Sequence, residues 1–243
     1  MRGYLQNRLS TVKFGMMDNQ EINPDISAFL ASAIHDMKNS ISVLIHFMED
    51  NLAALDVHAR KQASPMLYEV KRVNINLIQI LSIYKVGNDF YPFDLTENSI
   101  DEFVTEIAVR DEALLDYMGI DLALDYDADR SWYFDRELVA GVVLHALNNA
   151  ANYTQGKLKL SVKEEGGELA IRVEDNGNGY PASVIETGET VSNGMNFASG
   201  STGLGLYFSA MVARLHKNRG KTGSMTLENG GEYGGGRFTL RLP

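Results

Sequence analysis

The chain is expected to fold as an α+β protein in two parts. An antiparallel helical hairpin pairs with a second copy as a four-helix bundle, and an α/β sandwich of mixed sheet and covering helices follows. Three observations predict this. Apolar residues before Gly87 recur at helical spacing, whereas after Pro92 helical and strand-like segments mix among many glycines. Charge divides at the same place: residues 1–92 hold nine acids and nine bases, and residues 93–243 hold twenty-three acids against thirteen bases, so the whole net charge of -10 sits there. Gly87-Asn88-Asp89 followed by Pro92 punctuates the boundary.

In the first part, Leu30, Ala33, Met37, Ile41, Leu44, Met48, Leu52 and Leu55 form one helical stripe with an eleven-residue repeat, the spacing of nearly straight bundle packing. Met66, Val70, Val73, Leu77, Ile80 and Tyr84 form a second, stepping four and three in the coiled-coil manner. Asp56–Ser64 is read as a polar connection, with Pro65 in the first turn of the second helix. Two helices with one narrow stripe each bury little alone, which is why a second copy is expected. In the second part a short strand at Phe93–Leu95 precedes a helix from Ser99 to about Met118, a strand near Ile120–Tyr126 and a helix from about Asp135 to Ala151. Strands Lys157–Glu164 and Glu168–Asp175 flank a Gly166-Gly167 turn. A Gly/Ser/Asn-rich loop spans about Tyr180–Ser201, a helix runs from Thr202 to about His216, and strands Ser224–Glu228 and Arg237–Leu242 close the chain.

Composition removes several classes of function. Hydrophobic residues make up 44% and charged residues 22%, an ordinary globular balance. The acidic excess argues against nucleic-acid or membrane-surface binding, which rely on Lys and Arg. With no cysteine there are no disulfides, zinc-thiolate sites or Cys nucleophiles. No apolar run approaches the roughly 20 residues that span a bilayer, and the start lacks a signal-type stretch, so no membrane insertion and a cytoplasmic location are expected.

Four motifs carry chemistry. His35 lies about 200° around its helix from Ala33 and Met37, and Ser32, Asn39 and Ser42 share its outward face. A neutral imidazole there offers one lone pair, and Asp36 beside it can stabilise the cation that attack would form. His145, Asn149 and Asn152 fall on one helix face, and their amides can ligate Mg2+ or bond phosphate without adding charge. Asp175-Asn176-Gly177-Asn178-Gly179 follows a strand, with a carboxylate able to accept from an exocyclic amine beside glycines that admit a ligand to the backbone. Gly200-Ser201-Thr202-Gly203-Leu204-Gly205-Leu206 opens a helix as an anion site, without the Lys-Ser/Thr ending of a P-loop.

Taken in order, the His-Asp helix, Asn149-Ala150-x-x-Tyr153-Thr154, Asp175-x-Gly177-x-Gly179, Thr202-Gly203-Leu204-Gly205-Leu206 and the terminal Gly-rich strand closely resemble a bacterial two-component sensor histidine kinase core over residues 25–243. The resemblance implies an N-terminal extension (1–24), a dimerisation and histidine-phosphotransfer hairpin (25–86), a linker (87–92) and an ATP-binding domain of the histidine kinase and chaperone ATPase type (93–243). It implies that His35 accepts phosphate from ATP, that Asp36 orients or deprotonates it, and that Asn39 positions a water for reverse phosphatase action. It implies that Asn149 holds Mg2+ bridging the ATP phosphates and that Asp175 bonds the adenine amine. His145, Asn152, Tyr153, Gly177, Gly179, Thr202, Gly203, Leu204 and Gly205 would complete the nucleotide site. The implied partners are a response regulator receiver domain, whose aspartate takes the phosphoryl group, and a second copy of the chain. With only 1–24 ahead of the hairpin, a separate cytoplasmic sensory protein is the expected input. The departures are Asn152 where a phosphate-contacting Lys is usual, His145 in place of an Asn, Ser201 in place of a Gly, and Ser40 where a Pro is common. They favour one alternative, an ATP-independent phosphotransfer adaptor with a degenerate catalytic half; a second is an ATPase of the chaperone and repair class with no phospho-His, against which the His-Asp-x-x-Asn helix argues.

Overall fold

A computed structural model of the protein describes residues 24–192 and 203–243. The first two elements are helices α1 (Pro24–Ala53) and α2 (Val57–Gly87), packed as a hairpin. The connection is shorter than expected, because α2 starts at Val57 rather than near Pro65. Asp56 caps it: its Oδ1 accepts from the Ala59 N–H at 2.9 Å. Pro65 therefore sits inside the helix. It has no N–H for the Lys61 carbonyl, and the Ser64 hydroxyl donates to that oxygen instead at 3.0 Å.

The hairpin buries only part of the face read as its core. Ile45, Leu52, Leu67 and Tyr68 are buried together, with Ile41 and Met48 half-buried against them. Met37 and Leu44 of the first stripe and Met66, Val73 and Ile80 of the second remain exposed, as do Val43 and Phe47. Leu114 from the next helix packs on the part of the stripes that is buried and completes the small cluster.

Beyond the hairpin come β1 (Thr96–Ser99), α3 (Ile100–Met118), β2 (Asp121–Tyr126), β3 (Ser131–Phe134), α4 (Arg136–Tyr153), β4 (Lys157–Glu165), β5 (Glu168–Asp175), α5 (Ala182–Ser192), α6 (Gly203–Leu215), the two-residue strands β6 (Lys217–Asn218) and β7 (Lys221–Thr222), β8 (Ser224–Asn229) and β9 (Gly236–Leu242). Three readings need correction. The first strand begins at Thr96, not Phe93, because it pairs antiparallel with the unforeseen β3 from Thr96↔Phe134 to Ser99↔Ser131. Residues 182–192 are helical rather than loop, starting just after Pro181, whose carbonyl accepts from the Val184 N–H. The ribbon β6–β7 was also unforeseen.

The main sheet has the order β2-β4-β5-β9-β8, with β2 and β4 parallel and every other pair antiparallel. Gly166 and Gly167 turn β4 into β5 with φ of 61° and 75°, a two-residue turn that needs positive φ at both positions. Alternation along the strands makes the sheet two-faced. Leu158, Leu160, Val162, Ile171, Val173, Phe238 and Leu240 point to the core, where Leu138, Val142 and Leu147 of α4 and Phe208 and Val212 of α6 cover them. The opposite face carries ion pairs such as Arg172–Glu165 and Lys159–Asp125. This is the α+β architecture of hairpin plus sandwich. No helix among the described residues is long and apolar enough to cross a membrane.

Candidate functional site: an exposed imidazole and an asparagine-lined cavity

Two separate pieces carry the candidate residues. The first is the outward face of α1. His35 is exposed, its side chain retaining 55% of its accessible surface. Its Nδ1 lies 3.3 Å from Asn39 Nδ2, one turn on, and 3.6 Å from the Asp36 carboxylate. The Asn39 amide nitrogen can only donate to Nδ1, whereas the Asp36 carboxylate favours hydrogen there, so the tautomer follows which neighbour engages Nδ1, and the form turned to Asp36 leaves the lone pair on Nε2. Ser40, where a proline would remove an N–H, leaves the helix unbroken, its hydroxyl donating to the Asp36 carbonyl at 3.0 Å.

The second piece is a cavity of about 380 Å3 between α4, the end of β5, α6 and α2, a size that admits a small-molecule ligand. His145, Asn149, Asn152, Tyr153, Asp175, Gly179 and Leu204 all line it. Asp135 starts α4 by accepting the Leu138 N–H, and the helix then delivers the asparagines in successive turns. Asp175 ends β5, is 5% exposed, and accepts the Gly177 N–H at 2.7 Å. Gly177 is held under the Tyr153 carbonyl, where a Cβ would not fit. Gly235 and Gly236 crowd the Asp175 carboxylate equally closely. Thr154 and Asn176 brace this corner: the Asn176 carboxamide oxygen accepts from the Thr154 hydroxyl and from the Gln155 and Lys157 N–H groups. Val184, Leu206, Leu227 and Phe238 give the cavity an apolar wall near Asp175, the single carboxylate among its described lining residues, a setting that suits a flat heteroaromatic ring bearing an amine.

At the other end of the cavity, Asn149 Nδ2 lies 3.0 Å from His145 Nε2. The imidazole packs directly on Gly205, where any Cβ would overlap the ring. Burial lowers the His145 pKa to about 4, so it is a neutral acceptor. That bond leaves Asn149 Oδ1 to serve a cation. Asn148, 4% exposed, has both amide atoms buried with no hydrogen-bond partner in the protein. Buried amides are ordinarily satisfied, so this one marks a place for a ligand or its water. The residues present therefore fit a nucleotide and an oxygen-seeking cation. Among the described residues no cluster of three acids or histidines could hold a metal without help from a ligand. Gly203 and Gly205 are buried at the start of α6, and Thr202 lies outside the described residues.

Sequence reasoning missed Asn229, whose amide clasps the backbone of Tyr180, accepting its N–H at 2.6 Å and donating to its carbonyl at 2.9 Å. Gly179 lies against that amide. Burial, and then the Asp175 charge, push the Tyr180 phenol well above its usual range. It also missed Tyr68, Arg72, Ile75 and Asn76, which bring the hairpin to the cavity wall. The glycines after Asn229 hinted at the first; no local signal encodes the second.

Residues 134–243 match the family described as histidine kinase-, DNA gyrase B-, and HSP90-like ATPases. The signal transduction histidine-protein kinase AfsQ2 of Streptomyces coelicolor is 33% identical over 129 residues, which make up 50% of this chain and 22% of AfsQ2. The chain thus spans about a fifth of that relative's length. Among solved structures, the catalytic domain of histidine kinase ThkA superposes with a TM-score of 0.51 at 23% identity, covering 62% of this chain and 95% of that one. Acinetobacter baumannii histidine kinase AdeS superposes with a TM-score of 0.51 at 20% identity, covering 76% and 92%. Full-length ShkA in complex with AMPPNP gives 0.56 at 17%, covering 84% and 45%. These structural likenesses carry the fold.

Proposed function

We propose, on the premise that residues 134–243 belong to the histidine kinase-, DNA gyrase B-, and HSP90-like ATPases and that the chain is a two-component histidine kinase core, that it phosphorylates its own His35 from ATP and passes the phosphoryl group to an aspartate of a response regulator. The observation that carries this reading is the pairing, in one chain, of an exposed imidazole oriented by Asp36 and Asn39 with a cavity whose lining suits adenine at Asp175 and phosphate at Asn149. Asp175 would accept from the adenine amine, and Asn149 would ligate Mg2+, which neutralises the phosphate charge when bound. In the tautomer whose Nδ1–H faces Asp36, His35 Nε2 would bond the γ-phosphorus as its bond to the β,γ-bridging oxygen breaks and ADP leaves, and the Nδ1 proton would pass to Asp36. Such transfer depends on positioning and charge neutralisation more than on covalent help from the protein. In the reverse sense Asn39, one turn beyond His35, would orient a water for dephosphorylating the regulator. The hairpin 25–86 would be the dimerisation and phosphotransfer part and 93–243 the ATP-binding part. The exposed strip of Met37, Leu44, Val73 and Ile80 supports a homodimer.

Incubation with γ-labelled ATP and Mg2+ tests the reading. The expected product is acid-labile, alkali-stable label on the protein that a receiver domain then removes. Nucleotide binding without such label would point to another ATPase chemistry, and failure to bind nucleotide at all would point to the adaptor.

A further inference from the structure

One wall of the cavity comes from the hairpin. Tyr68, Arg72, Ile75 and Asn76, on consecutive turns of α2, line it opposite the asparagines of α4. A nucleoside triphosphate brings several negative charges into a site that already holds Asp175. The asparagine amides can bond phosphate but carry no charge to offset it. Among the described residues lining the cavity, Arg72 is the only Lys or Arg. The sequence 193–202, between α5 and α6, contains neither residue type.

Arg72 is also free to respond. It pairs with Glu69, one turn earlier on the same helix, at 2.6 Å, and both side chains are about half exposed, a setting in which an ion pair is weak. A planar guanidinium can exchange such a partner for two oxygens of a phosphate. The helix that carries it is fixed. The preceding residue, Lys71, is buried and donates to the Arg110 carbonyl at 2.9 Å while sitting 3.0 Å from Glu49 and 3.5 Å from Asp111. Leu67 and Tyr68 pack with Leu114 of α3. The register of α2 against the sandwich is thus set by buried contacts in the turn that leads into Arg72.

We propose that Arg72 is the cationic contact for the phosphate chain of a nucleotide bound in this cavity, so that the second hairpin helix completes the site. This rests on the cavity's being a nucleotide site, as proposed above. It follows that the phosphates and the docking of the hairpin favour each other: a ligand bearing the phosphates stabilises the docked arrangement, and loosening the hairpin weakens the ligand by the same factor.

Calorimetric titration of the full chain with ATP-Mg2+ and, separately, with adenosine tests it. Loss of a charge-assisted contact predicts that Arg72→Ala weakens ATP about tenfold or more, leaves adenosine within about twofold, and that Arg72→Lys falls between. Glu69→Gln, which releases Arg72 from this ion pair, should tighten ATP about two- to threefold without changing adenosine. Equal weakening of ATP and adenosine by Arg72→Ala would make Arg72 a wall contact and overturn the proposal, as would no change in either. If the unaltered chain bound neither ligand, the nucleotide reading itself would fall. Adenosine binding retained with an unchanged ATP ratio would sink the Arg72 assignment alone.

Discussion

Gly205 illustrates how much a single position can carry. The glycine motif pointed to close approach of backbone to phosphate, and the coordinates add a steric reason: the His145 ring occupies the space that a side chain at 205 would need. Gly205→Ala should therefore destabilise the protein by about 1–3 kcal/mol through overpacking at the α4–α6 contact. Removing the ring in the Gly205→Ala/His145→Ala double variant should recover most of that loss, measured by chemical denaturation of the four members of the cycle. Additive losses would mean that the two do not compete for space. The pairing could not be read from sequence, because the residues lie sixty positions apart and neither motif says what the other packs against.

Local signals at the scale of elements gave the hairpin turn well, and helix starts and long-range pairings poorly. Gly166-Gly167 announced its hairpin because positive φ at both positions is a local demand. The strand at Thr96 was misplaced because only its partner β3, more than thirty residues on, defines it. The stripe on α2 divides: Val70 packs on the buried cluster, while Met66, Val73 and Ile80 stay exposed. The junction of α4, α6 and the segment before β1 shows what tertiary pairing adds. His216 donates its Nδ1 hydrogen to the Val212 carbonyl at 2.8 Å and accepts the Asp135 N–H on Nε2 at 3.0 Å. The Asp135 carboxylate in turn accepts from the Tyr91 hydroxyl and the Asp94 N–H. Only a neutral imidazole fits, and burial lowers the His216 pKa against the opposing pull of the Val212 carbonyl and Asp135. Below about pH 6.5 the unfolded chain takes a proton that folded His216 refuses, so stability falls as pH drops, with a slope of at most about 1.4 kcal/mol per pH unit for this group. His145 adds in the same direction until pH approaches its own value of about 4. Denaturation midpoints should fall between pH 7.5 and 5.5, and fall less in His216→Gln; a midpoint that held steady would contradict the assignment.

For the molecule as a whole, the hairpin has three faces with three uses. One packs on the sandwich through Leu67, Tyr68 and the buried Lys71. One presents His35 to solvent. The third leaves Met37, Leu44, Val73 and Ile80 exposed, an apolar strip larger than a solitary hairpin has reason to keep. Sedimentation should give a dimer, and Leu44→Glu with Val73→Glu should shift it to monomer while leaving nucleotide binding in place. A monomeric unaltered chain would contradict that assignment.

The central claim is that the cavity and the exposed imidazole are two halves of one reaction. Its most direct test measures nucleotide affinity and γ-label uptake side by side on His35→Gln and Asp175→Asn. The account predicts that His35→Gln binds ATP as the unaltered chain does and takes no label, while Asp175→Asn loses both. Undiminished label on His35→Gln would place the phosphoryl group elsewhere and contradict it.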